Sequence, residues 1–209
     1  MLVRLQNSCA PNDTQPSSEN SRIFCFCSYF YPEYAIRQPL RHYAANLNLK
    51  AKEIIFVPLN INDTHWTLVA CDVRRKNFTY YDSIRMDSTR KEDAYLRLTN
   101  VRNALAAMCH DKAMLTWNTI VGECPLQRKD ANIPASPPRG VGGDCGLHVL
   151  LTARHIANGS RMSSSTYTSA DAKALRAEIC RLISSTDQAE LELRRSSLHV
   201  RARRKIMRS

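Results

Sequence analysis

Apolar positions along the chain fall into a few short runs whose spacing predicts elements. Ile54-Ile55-Phe56-Val57-Pro58-Leu59 is nearly continuous and reads as a buried strand. Thr67 to Cys71 and Phe78 to Tyr81 are two further runs rich in β-formers, separated by the polar, turn-like Asp72-Val73-Arg74-Arg75-Lys76-Asn77. That arrangement predicts a hairpin. From Glu92 to Cys109 the apolar residues Ala94, Leu98, Val101, Leu105 and Met108 share one helical face, while Ala113 to Val121 returns to a β-rich pattern through Leu115, Trp117, Thr119 and Val121. A second helix is predicted over Leu147 to Ala157, from Val149, Leu150, Ala153, Ile156 and Ala157. A third follows the capping-box pattern Thr168-Ser169-Ala170-Asp171 and carries Ala172, Leu175, Ile179 and Leu182. The order is strand, strand, strand, helix, strand, loop, helix, helix, which is an α+β domain with a mixed or antiparallel central sheet flanked by helices.

Three polar clusters sit at the edges of these elements. His65, in Thr64-His65-Trp66, opens one hairpin strand, and Asp82, in Tyr80-Tyr81-Asp82-Ser83, follows its partner. Antiparallel pairing brings both to one end of the sheet. Cys145, in Gly142-Gly143-Asp144-Cys145-Gly146, stands where the apolar helix begins, so unpaired backbone N–H groups and the helix dipole favour its thiolate. A thiol nucleophile needs an imidazole to hold it as thiolate and to protonate the leaving amine. The imidazole in turn needs a carboxylate to fix its tautomer. Taken singly, a histidine is most often structural, an aspartate at a strand end most often serves a turn, and a cysteine is most often a buried apolar thiol. As an ordered set, His65, Asp82 and Cys145 supply the three roles.

These motifs resemble the ubiquitin-like protease family, cysteine peptidases that mature SUMO-type modifiers and release them from lysine side chains. The resemblance covers about Ile54 to Ile183, includes the His65-to-Asp82 interval, and has a deneddylase flavour in Glu123-Cys124-Pro125-Leu126-Gln127 followed by Asp144-Cys145-Gly146. It implies a papain-like cysteine protease architecture and a side-chain oxyanion donor at Gln127, beside the Cys145 backbone N–H. It also implies cleavage after the C-terminal Gly-Gly of a ubiquitin-like modifier, SUMO or the neddylation modifier, by a monomer needing no cofactor and no metal. Trp66 and Gly143 are the expected substrate-binding positions, with Trp66 packing beside the histidine.

Two features depart from the family pattern. Gln127 lies well upstream of the usual position, about six residues before the cysteine, where this chain has Arg139; residues 128–141, with Pro134, Pro137, Pro138 and Gly140, read as an inserted loop. No match to the family's Trp-Leu-Asn-Asp helix is visible, the tryptophans being Trp66 and Trp117. The expected organisation is a flexible segment over 1–22, a catalytic domain over 23–186 and a basic tail over 187–209.

Composition narrows the picture further. At 209 residues, 44% hydrophobic and 23% charged, the chain has the length for one domain plus tails and the ordinary make-up of a soluble protein. No apolar run nears the roughly 18 residues a membrane span needs, and no signal-peptide pattern opens it. Eight cysteines without signs of secretion point to the reducing nucleus or cytoplasm. Of the net charge of +11, seven charges fall from Arg194 onward, a solvated run or a nuclear address; nucleic acid is not the expected partner. Cys25-x-Cys27, Cys9 and His42 lack zinc-site spacing. Besides the isopeptidase, two classes stay open: a cysteine-dependent acyltransferase with a similar His, acid, Cys order, and a modifier-binding protein that has lost catalysis. His148, three residues after Cys145, is a weaker alternative as base.

Overall fold

The computed structural model describes residues 22–26, 30, 48–127 and 144–185. The expected N-terminal segment, inserted loop and basic tail, and with them Gly140, Gly142, Gly143, Arg139, Cys9, Cys27 and His42, lie outside the described residues. The chain divides into two compact units, 1–169 and 170–209.

The first unit is built on a five-stranded mixed sheet in sequence order: β1 (Ile23–Cys25), β2 (Ile54–Ile61), β3 (His65–Asp72), β4 (Asn77–Tyr81) and β5 (Asn118–Val121). The two central pairings, β2–β3 and β3–β4, are antiparallel, and the outer strands β1 and β5 run parallel to their neighbours. Pleating sends alternate residues to opposite faces. Ile55, Val57, Leu59, Val69, Cys71, Phe78 and Tyr80 face one way and bury against helix α1 (Ser88–Met108) through Ala94, Leu98, Val101, Ala104 and Leu105. Phe56, Leu68 and Ala70 face the other way and pack with Ala153, Val149, Ile156 and Ala157 of helix α2 (Cys145–Ala157). The result is a sheet with a helix on each face, the α+β arrangement expected.

Local chemistry moves several boundaries. Helix α1 starts at Ser88, before the first apolar repeat, because the Asp87 carboxylate caps it by accepting from the Arg90 N–H at 2.9 Å. The pattern read as one strand over 113–121 is split. Lys112–Thr116 forms a 3₁₀ turn, nucleated where the Asp111 side chain accepts from the Ala113 N–H at 3.0 Å, so Leu115 is left exposed, and only Asn118–Val121 pairs. In α2, Leu151 is buried and Leu150 only half-buried. Strand β1, three residues long, carries too little pattern to be read from sequence.

In the second unit, residues 170–185 belong to a helix spanning 169–185, on which Ala172 and Leu175 are buried, as its spacing predicts. No helix among the described residues is long and apolar enough to cross a membrane.

Candidate active site

The β3–β4 register decides where the first two site residues meet. Leu68 pairs with Tyr81, so one further step sets Asp82 opposite Thr67, two positions from His65 and on the same face. The contact follows: His65 Nε2 lies 2.7 Å from Asp82 Oδ1. Asp82 is 7% exposed, and the same oxygen accepts from the Ile84 N–H at 2.8 Å, so the carboxylate is held from two sides. With Nε2 committed to Asp82, Nδ1 is the ring nitrogen left for a second partner. That partner is the Cys145 thiol, which bonds to the His65 side chain.

Cys145 is the first residue of α2, as the glycine-flanked motif predicts, and is itself mostly buried. Burial pushes its thiol up, but the His65 side chain, the backbone N–H of Trp66, the His65 charge and the backbone N–H of Gly146 together bring it below its ordinary value. Burial likewise opposes charge on His65, and the bonds and charges of Asp82 and Cys145 outweigh it, raising the imidazole to about 9. The two shifts run in the directions that favour a thiolate–imidazolium pair. The other interior thiols behave oppositely: burial raises Cys71 and Cys109, and pushes Cys124 up to about 12.

Gln127 comes to the same end of the sheet. Its N–H donates to the carbonyl of Ser83, the residue after Asp82, at 2.8 Å, and its Oε1 lies 3.5 Å from the Ser83 hydroxyl. Trp66 lies along α2, its Cδ1 3.7 Å from where a side chain on Gly146 would begin. With Leu68, Tyr81, Ser83, Cys124 and His148 it lines a narrow seam beneath the site. His148, the weaker alternative as base, is buried with its Nδ1 3.2 Å from the Tyr167 hydroxyl.

Three contributors escape sequence reading. The Trp66 backbone N–H reaches the thiolate through chain placement, which no residue type signals. Cys124 donates its S–H to the Asp82 carbonyl at 3.3 Å, buttressing the acid from below. Tyr167, distant in sequence, meets α2 through a loop with no periodic pattern.

The catalytic-domain model of the Ulp1 protease family matches residues 18–191. The chain belongs to this family. Relatives include human sentrin-specific protease 3, 31% identical over 75 residues, 35% of this chain and 12% of that protein. A probable sentrin-specific protease 8 from Dictyostelium discoideum is 31% identical over 138 residues, 62% of this chain and 49% of that protein. The chain thus spans about half or less of these curated relatives. The X-ray structure of the C-terminal Ulp1 protease domain in complex with Smt3, the yeast ortholog of SUMO, superposes with a TM-score of 0.61 at 21% identity, covering 74% of this chain and 65% of that one. The Ulp1-family fold, α+β and papain-like, is therefore shared by this chain.

Proposed function

We propose that this chain is a cysteine-type peptidase and isopeptidase that cleaves after the C-terminal Gly-Gly of a SUMO-type modifier, with Cys145 as nucleophile, His65 as acid and base, and Asp82 as its orienting carboxylate. The observation that carries the reading is the continuous relay from Asp82 Oδ1 through the His65 ring to a thiol shifted toward thiolate at a helix N-terminus. The Cys145 thiolate attacks the carbonyl carbon of the terminal glycine. The resulting oxyanion accepts hydrogen bonds from the Cys145 N–H and the Gln127 side-chain amide. As the tetrahedral species collapses, the C–N bond breaks and the imidazolium gives its proton to the departing lysine amine. Neutral His65 then takes a proton from water, the hydroxide oxygen adds to the thioester, and the thiolate leaves.

A SUMO-type partner is supported by family membership and by the Smt3 complex of the Ulp1 domain; the neddylation modifier is the second candidate, through the sentrin-specific protease 8 relative. An intact relay favours a working enzyme over a binding protein that has lost catalysis. Free thiols among the described residues suit a reducing compartment, nucleus or cytoplasm.

The test is turnover of SUMO and of the neddylation modifier, each carrying a fluorogenic amide after Gly-Gly. Release from SUMO that disappears in Cys145→Ser and His65→Ala supports the reading. Release that survives Cys145→Ser overturns the site, and preference for the neddylation modifier overturns the choice of partner.

A further inference from the structure

Beyond Tyr81 the β4 chain runs on to the acid, and beyond Val121 the β5 chain runs on to Gln127. The two strands are parallel, with Tyr80 beside Val121, and the Gly122 N–H donates to the Tyr80 carbonyl at 2.8 Å. In a parallel ladder both chains advance two residues from one such bond to the next, so the following place belongs to the Asp82 carbonyl and residue 124. There the Asp82 carbonyl accepts from a side chain, the Cys124 thiol, with Sγ at 3.3 Å. The next contact breaks the spacing. The Gln127 N–H donates to the Ser83 carbonyl at 2.8 Å, one residue on along the first chain and three along the second. The second chain therefore arches over Pro125 and Leu126, and Leu126 is left 47% exposed. Pro125 has no N–H to give. The thiol closes the near foot of the arch as the Gln127 amide closes the far one. Cys124 is 6% exposed, and burial with the Asp82 charge pushes its thiol up to about 12, so it stays protonated and able to donate at neutral pH.

Resting on the peptidase reading above, we propose that Cys124 is a positioning residue for the oxyanion donor: its thiol takes the ladder place just beyond β5 and registers the Gln127 segment against the main chain of Asp82. One bond thus couples the residue that orients the imidazole to the segment that carries the oxyanion amide. A misplacement of about 1 Å in a positioned group can cost on the order of 10²-fold in rate, so a small slip of the arch is read in turnover. A thiol that only fills space would be replaceable by any small side chain. Alanine and serine differ by one hydroxyl, and of the two only serine can donate to the Asp82 carbonyl.

The experiment compares Cys124→Ala and Cys124→Ser in the full chain, each with and without Gln127→Ala, using the fluorogenic Gly-Gly amide. Cys124→Ala should lower kcat by about three- to tenfold while KM stays within about twofold. Cys124→Ser should recover most of the loss, and Cys124→Ala should cost nothing further in kcat once Gln127 is alanine, because both changes act through one donor. An unchanged kcat in Cys124→Ala, a Ser variant as slow as the Ala variant, or an equal loss in the Gln127→Ala background overturns the proposal. Infrared spectroscopy reads the bond independently of turnover. The S–H stretching band that the unsubstituted chain has and Cys124→Ser lacks should lie below that of a solvent-exposed thiol, and a band at the exposed-thiol frequency removes the bond. Should Cys124→Ala fail to fold, a lowered band together with a Ser variant within about twofold of the unsubstituted kcat supports the proposal, and failure of either overturns it. A chain that turns over nothing but shows the lowered band would sink the peptidase reading and leave the thiol's place in the ladder standing.

Discussion

At Cys145 the competition between burial and polar contact is decided by four donors or charges, and the same competition at His65 is won by Asp82 and the thiol. The consequence is a pH signature. Alkylation of Cys145 by iodoacetamide should persist well below the ordinary thiol range in the unsubstituted chain, and in His65→Ala its midpoint should move up toward about 8.5 or above. An unshifted midpoint would mean that His65 does not hold the thiolate. The sign for stability follows from the same site. His65 has a folded pKa of about 9 against 6.5, so its contribution is complete below 6.5 and is lost as pH rises through about 9. Asp82→Asn keeps the shape but removes the charge, and kcat should fall on the order of 10²-fold with little change in KM, as read by steady-state kinetics. Gly122 shows a different constraint. A Cβ there would lie 2.6 Å from both Thr79 Cγ2 and Tyr81 Cε1, so Gly122→Ala should destabilise by about 1–3 kcal/mol in urea melts as the Tyr81 ring is displaced.

Among the elements, the β3–β4 hairpin is where sequence reading was strongest. Alternating β-formers around a polar turn left one plausible pairing, and that pairing puts His65 and Asp82 at one end of the sheet. Helix α2 was legible for a related reason: glycines, then Asp144 and Cys145, then an apolar repeat mark a helix start. Its buried face was less so, because His148 and Thr152 are interior polar residues whose shared partner, Tyr167, comes from a loop without periodicity. The 3₁₀ turn before β5 was misread as strand since Leu115, Trp117, Thr119 and Val121 alternate in sequence while Asp111 redirects the backbone. The early start of α1 rests on a single cap. Asp87→Ala should therefore cost about 1 kcal/mol by denaturant titration, and an unchanged midpoint would show that α1 does not depend on it.

For the first unit as a whole, the sheet is packed on both faces and the site gathers at its end. One face carries the larger core against α1, and the other carries α2, whose first residue is the nucleophile. Leu98→Ala on the α1 side should cost about 2–5 kcal/mol of stability, read by urea melts, and an unchanged midpoint would show that this face does not carry the core. The measurement that bears most directly on the account is intact-mass analysis of the chain after exposure to SUMO bearing an electrophile in place of its terminal carboxylate, with ubiquitin and the neddylation modifier alongside. The account predicts one covalent SUMO adduct, lost in Cys145→Ser. No adduct from the folded chain, or one that survives Cys145→Ser, would contradict it.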